Sequence, residues 1–299
     1  MGLAVLLIFI LCGIYVQNRG VVQHQRLKRK ITDHSNLLAP INCLFYLFSR
    51  VKKTPYISVN EFPELKVVDE NWQMIRDEAL KLNEAAQIKA SDDLDDLGFN
   101  SFFRTGWKRF YLKWYGTDLK SAMELCPKTV ELLSGIPSVK GGMFAMLPPG
   151  ARLGEHRDPY AGSFRYHLGL VTPNSDDCYI VVDGEKYSWR DGESVMFDET
   201  YIHHAENKTD HNRIVLFLDV KRPVTFFLVD WFNQFLSYTL LAASATKNVK
   251  GDKVGVLNKA FHYLFKARNW VRKLKGVNKP LYYFVQYGLY IGLIYLLFF

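Results

Sequence analysis

His156-Arg157-Asp158 places an imidazole and a carboxylate two residues apart. On an extended strand, residues i and i+2 project on the same side. The Pro149-Gly150 turn just upstream puts the pair at or near a strand edge. His203 follows Asp158 by 45 residues. Two imidazoles and one carboxylate make the facial triad that holds non-haem Fe(II) and leaves positions open on it. A bidentate keto acid and O2 would fill those positions. Arg213, ten residues beyond His203, opens the apolar run RIVLFLDV. A guanidinium there can hold a carboxylate in a two-pronged fork, and on an apolar strand it has no other evident partner. A His-x-Asp pair alone arises by chance; followed by this His and this Arg among strands, it is informative.

Plainer readings compete. His203 and His204 are adjacent, so strand alternation lets only one face a metal. Asp158 precedes Pro159, and Asp-Pro is a common turn pair. Asp198 and Glu199 read as a turn or a salt bridge rather than as ligands. The acidic run Asp92, Asp93, Asp95 and Asp96 reads as a solvated loop, with cation or amine binding as the alternative.

Short apolar runs at 140–147, 164–171, 178–182, 186–190, 194–198 and 213–220 must position these groups. They are separated by turn signals such as Asp183-Gly184 and Asp191-Gly192, which is the pattern of a sandwich or barrel. A mainly β catalytic domain is expected, a double-stranded β-helix or cupin-like jelly roll with flanking helices. Trp72, Ile75, Ala79, Leu82 and Ala86 predict a helix over 69–90 with Asp69 as its cap, and 127–133 predicts a short one.

The 38 basic and 30 acidic residues are unevenly spread. Residues 19–30 carry five basic residues and no acid, and 247–279 carry ten against Asp252 alone, so the middle of the chain is acidic. A nucleic-acid binder would carry its basic patch on the folded domain. Basic flanks beside apolar ends point to a membrane surface. Residues 2–16 are apolar with all nearby positive charge downstream, which predicts an uncleaved membrane anchor rather than a signal peptide. The uncharged run 281–299 predicts a C-terminal membrane helix. Residues 41–48, 226–245 and 260–275 read as interfacial. The expected division is an anchor at 1–18, a basic juxtamembrane segment at 19–68, the catalytic domain at 69–223, amphipathic helices at 224–279 and a membrane helix at 280–299. Cys12, Cys43, Cys126 and Cys178 form no Cys-x-x-Cys pair, which excludes a zinc ribbon or thioredoxin-like motif and fits a reducing, cytoplasmic setting.

The segments PGARLGEHRD, FRYHLGLVTP, YSWRDGESVMFDETYIHHAENK and NRIVLFLDVKRP resemble the aspartyl/asparaginyl β-hydroxylase family of Fe(II)/2-oxoglutarate oxygenases over roughly residues 70–223. The resemblance implies that His156 and His203 bind iron, that Arg213 binds 2-oxoglutarate, and that Arg165 and His167 contact the cosubstrate's other end. Arg165 paired with a carboxylate and His167 as a core histidine are the alternatives. Two departures stand out: the animal peptide hydroxylases have glycine where this chain has Asp158, and a cosubstrate-binding serine falls near Ala145. The apolar ends add an expected lipid substrate at the cytoplasmic face of a membrane, and the resemblance implies a secondary acyl chain of lipid A, hydroxylated at C2, at a bacterial inner membrane. A peptide β-hydroxylase and a non-catalytic membrane scaffold are the rival expectations.

Overall fold

The computed structural model describes residues 2–90 and 96–298. Its strands are β1 Tyr56–Ile57, β2 Lys108–Trp114, β3 Thr117–Asp118, β4 Val139–Leu147, β5 Arg152–His156, β6 Ser163–Val171, β7 Cys178–Val182, β8 Glu185–Ser188, β9 Ser194–Phe197, β10 His203–Asn207 and β11 Arg213–Lys221. They build two sheets that face each other as a jelly roll. The larger runs β1-β9-β6-β11-β4-β2-β3 and the smaller β5-β10-β7-β8, with antiparallel neighbours throughout. The expected β-rich architecture is therefore present. β11 is central to the larger sheet and buried along nearly its whole length, which explains why it reads as a continuous apolar run rather than an alternating one.

The helices are α1 Gly2–Gln17, α2 Leu27–Thr32, α3 Ala39–Phe48, α4 Lys66–Glu70, α5 Trp72–Glu84, α6 Asn100–Phe103, α7 Lys120–Leu125, α8 Pro127–Ser134, α9 Phe227–Leu236, α10 Val256–Val277 and α11 Lys279–Phe298. The helix expected over 69–90 is broken at Asn71 and ends at Glu84. Ala86 lies in the left-handed region at φ 52°, which no continuing helix adopts. Asp69 caps nothing; its carboxylate accepts a bond from the Tyr166 hydroxyl at 2.6 Å. Ile75, Ala79 and Leu82 do form the buried stripe of α5.

The ends depart from expectation. Among the described residues no helix is long and apolar enough to cross a membrane. The 16 residues of α1 extend about 24 Å at 1.5 Å per residue, short of a bilayer core of about 30 Å. Tyrosines, Gln286 and glycines dilute α11. The anchor at 1–18 and the membrane helix at 280–299 are thus not upheld as spans. Instead α1 packs against α3 and α11, and Val16, Phe45, Tyr46, Tyr160 and Leu236 form a second apolar cluster beside the main core. Of the acidic run, Asp92, Asp93 and Asp95 lie outside the described residues. Asp96 is no solvated loop residue: it is buried, paired with Arg109 at 3.1 Å and bonded by the Tyr111 hydroxyl at 3.0 Å.

Candidate active site

The sheet register brings the two histidines together. His203 on β10 lies directly across from His156, the last residue of β5, and their ring centroids are 4.2 Å apart. Asp158 follows just past the strand end, and its backbone N–H donates to Glu199 O at 2.9 Å. One donor atom from each of His156, Asp158 and His203 lies within 4.8 Å of the others, a spacing that could hold a metal ion.

The rings are set for that role. His156 Nδ1 sits 2.7 Å from Gly154 O, and His203 Nδ1 sits 3.0 Å from Tyr201 O. A carbonyl only accepts, so each Nδ1 carries the proton and each Nε2 presents a lone pair. Burial, and for His203 the neighbouring His156, holds both imidazoles neutral, His203 down to about 3. Burial alone would push the Asp158 carboxyl upward, but the Arg165 guanidinium beside it outweighs burial and holds it below the usual carboxylate range. Neutral imidazoles and an ionised carboxylate are the donor states a divalent cation requires. His204 points to the other face of β10 and is half-exposed near Tyr179, so alternation resolves the adjacent pair in favour of His203.

The facing sheet supplies the rest of the cavity. Arg165 and His167 alternate onto one face of β6, as do Arg213 and Phe217 on β11, and Ala145 joins them from β4. Arg213 is buried, with its guanidinium carbon 4.4 Å from the centre of the Trp189 ring. Among the described residues no carboxylate pairs with it, its Nε has no partner, and burial lowers it to about 10. An unpaired buried guanidinium is costly unless a ligand supplies the anion. His167 is buried with both ring nitrogens unpartnered, between Phe217 and Phe197. Burial, then Arg213 and Arg165, holds it neutral.

Arg165 has a different setting. Its guanidinium pairs with Asp158 at 2.8 Å, with Asp219 at 3.2 Å and with Glu199, and lies 3.6 Å from the Phe217 ring centre. By holding Asp158 Oδ2 it turns Oδ1 toward His156. The carboxylate pairing is thus what the structure displays, and it orients the third donor. Asp198 and Glu199 are salt-bridge residues as expected, Asp198 binding Arg19 and Arg222 at 2.7 and 2.9 Å.

Three features escaped sequence reasoning. Trp189 reaches Arg213 because Gly169 lets the 189–190 backbone pass: a Cβ on Gly169 would lie 2.0 Å from Arg190 O. Phe99, Phe102, Trp107 and Leu153 wall the triad side of the cavity, with Phe102 4.8 Å from the His156 ring. Finally, residues 16–33 strap the back of the site. Arg157, buried between two donors, donates to Val16 O at the end of α1, and Arg29 donates to Glu155 O. Arg19 binds Asp198 and Thr200 and lies 3.9 Å from the Tyr201 ring centre, beside the carbonyl that holds His203. The aromatic wall and the strap carry no local motif; proximity across 54 residues brings Phe102 to His156, and across more than a hundred creates the strap.

Comparison with known proteins fits this geometry. Residues 69–223, over half the chain, match the aspartyl/asparaginyl beta-hydroxylase family. An ornithine lipid ester-linked acyl 2-hydroxylase of Rhizobium tropici is 31% identical over 179 residues, 59% of this chain and 64% of that protein. The human aspartyl/asparaginyl beta-hydroxylase is 28% identical over 189 residues, 60% of this chain but 24% of its own length. The chain therefore spans less than two thirds of these relatives. Among solved structures, a Pseudomonas putida prolyl-4-hydroxylase aligns with 52% of this chain and 87% of its own at 14% identity and a TM-score of 0.35. The chain belongs to the aspartyl/asparaginyl beta-hydroxylase family.

Proposed function

We propose that this hydroxylase-family protein is an Fe(II)- and 2-oxoglutarate-dependent dioxygenase that hydroxylates an acyl chain of a membrane lipid, with lipid A as the substrate, at the cytoplasmic face of a bacterial inner membrane. The observation that carries the reading is Arg213: a buried guanidinium, paired with no carboxylate among the described residues, faces the same cavity as three convergent groups that could hold a metal. A dicarboxylate with a keto group satisfies both at once. His156, Asp158 and His203 would hold the iron, Arg213 the distal carboxylate of 2-oxoglutarate, and His167 offers an unpartnered ring to its other end. When bound, iron and 2-oxoglutarate supply an O2-derived oxidant for an unactivated C–H bond, with succinate and CO2 as by-products. The protein's share is orientation and exclusion. Arg165 fixes Asp158, the Nδ1 bonds fix both imidazoles, and the aromatic wall keeps water from the reacting carbon.

That wall supports a lipid over a peptide: Phe99, Phe102, Trp107 and Leu153 offer hydrocarbon contact and no charge. The rhizobial relative, named for an ornithine lipid, supports an acyl chain and makes ornithine lipid the second substrate to examine. Mass spectrometry of lipids from cells expressing the wild-type chain or His156→Ala tests both. An added oxygen (about 16 Da) on an acyl chain, present with wild type alone, is expected. Unchanged lipids with both proteins abundant would refute the lipid reading.

A further inference from the structure

Outside the active site, α9 presents one face to the domain and another to solvent. Val229, Asn233 and Leu236 are buried, and Asn233 is fixed by bonds with the Tyr160 hydroxyl and Gly162 O. On the outer face Phe227, Leu228, Trp231 and Phe235 are 72, 51, 65 and 49% exposed, and Tyr238 continues the stripe at 60%. Trp231 and Phe235 stack on each other at 5.9 Å in the open. Asp230 does not interrupt the stripe, because it is paired with Lys221 at 2.8 Å. So much exposed aromatic surface on one helix marks a contact site.

We propose that the outer face of α9 seats in the interfacial layer of an anionic lipid bilayer. The claim rests on the lipid reading above and names where the membrane touches the protein. Two observations select a bilayer over another protein. First, the apolar surface does not stop at α9. Leu47 on the adjoining α3 is 70% exposed, and α1, packed on α3 along one side, exposes Leu3, Leu7, Ile10, Leu11 and Ile14 along another. A one-sided protein partner would leave much of that uncovered; lipid covers it all. Second, the border is cationic. Arg50, Lys52 and Lys53 are exposed where the chain leaves α3, and Arg50 N–H bonds Pro223 O at the approach to α9. Trp and Tyr at the apolar edge with cations beside them is the arrangement of a headgroup boundary.

The test uses the full-length, metal-free chain with vesicles of phosphatidylethanolamine and phosphatidylglycerol in equal parts, lacking any hydroxylation substrate. Its outcome is thus independent of turnover. Acyl-brominated lipid should quench the emission of wild type, and Trp231→Phe should lose that quenched component while retaining the rest. Phe227→Ser/Trp231→Ser/Phe235→Ser should partition at least tenfold more weakly, with unchanged circular dichroism and unchanged Co(II) binding. Failure of wild type to bind these vesicles, or binding without Trp231-dependent quenching, would overturn the proposal. So would sedimentation showing a wild-type dimer that Phe227→Ser/Trp231→Ser/Phe235→Ser dissociates.

Discussion

Replacing Arg213 by methionine should separate binding from stability. The native side chain buries a charge whose Nε has no partner and with which no carboxylate among the described residues pairs. Removing one partner of a buried ion pair normally destabilises a fold, but here there is no protein partner to strand. Methionine keeps an unbranched apolar contact over Trp189. The 2-oxoglutarate-free protein should therefore melt at the same temperature or higher. Affinity for 2-oxoglutarate should fall by the worth of a charge-assisted fork, about 1.5–3 kcal/mol, or roughly 10- to 150-fold in Kd. Calorimetry with Mn(II)-loaded protein measures the second quantity and thermal denaturation the first. An unchanged Kd together with a lower melting temperature would show that Arg213 is a structural residue and would falsify the cosubstrate assignment.

Other outcomes follow from the same geometry. Arg157→Met, cutting the tie between the donor loop and α1, should weaken Co(II) binding by about tenfold, as losses of a ligand-orienting partner do, and Arg157→Lys should recover part of it; equal Co(II) affinity in all three proteins would remove the strap from the metal site. Gly169→Ala forces a Cβ onto the Arg190 carbonyl and should cost about 1–3 kcal/mol in denaturant titrations, with 2-oxoglutarate affinity falling too as Trp189 is displaced. His156 and His203 stay neutral in the fold but bind protons near pH 6.5 when unfolded. The unfolded state then binds more protons, so metal-free stability is intact above about 6.5 and declines as pH falls toward 3, by at most about 1.4 kcal/mol per unit for each histidine. His203→Gln should flatten that slope, and an unchanged slope would place the acid sensitivity elsewhere.

How far these features could be read in advance depended on how local their causes are. His156 and Asp158 were legible because a two-residue spacing fixes side on an extended chain, and Arg213 because a charge in RIVLFLDV is conspicuous. His203 over His204 was a matter of register, settled once β10 was paired with β5 and β7. The partners of Arg165 were beyond reach: Asp219 and Glu199 meet it only through the pairing of β6 with β11 and the turn after β9. Lys108–Trp114 was missed as a strand because both its faces are largely buried, so KRFYLKW shows no clean alternation. The ends misled for a physical reason. An apolar helix reads the same whether it crosses a bilayer or packs partly on protein, and hydropathy does not register that Val16 is buried beside Tyr46.

The strap also has a consequence in time. Arg19 meets Asp198 across 179 positions of sequence, so the clamp behind His203 cannot close until nearly the whole catalytic domain has left the ribosome. Contacts of such long range form late, because their loop entropy must be met by structure already in place. The donors at 156, 158 and 203 thus come into register before the braces that stiffen them. The strap at 16–33 is therefore a late addition to a site whose strands have already paired.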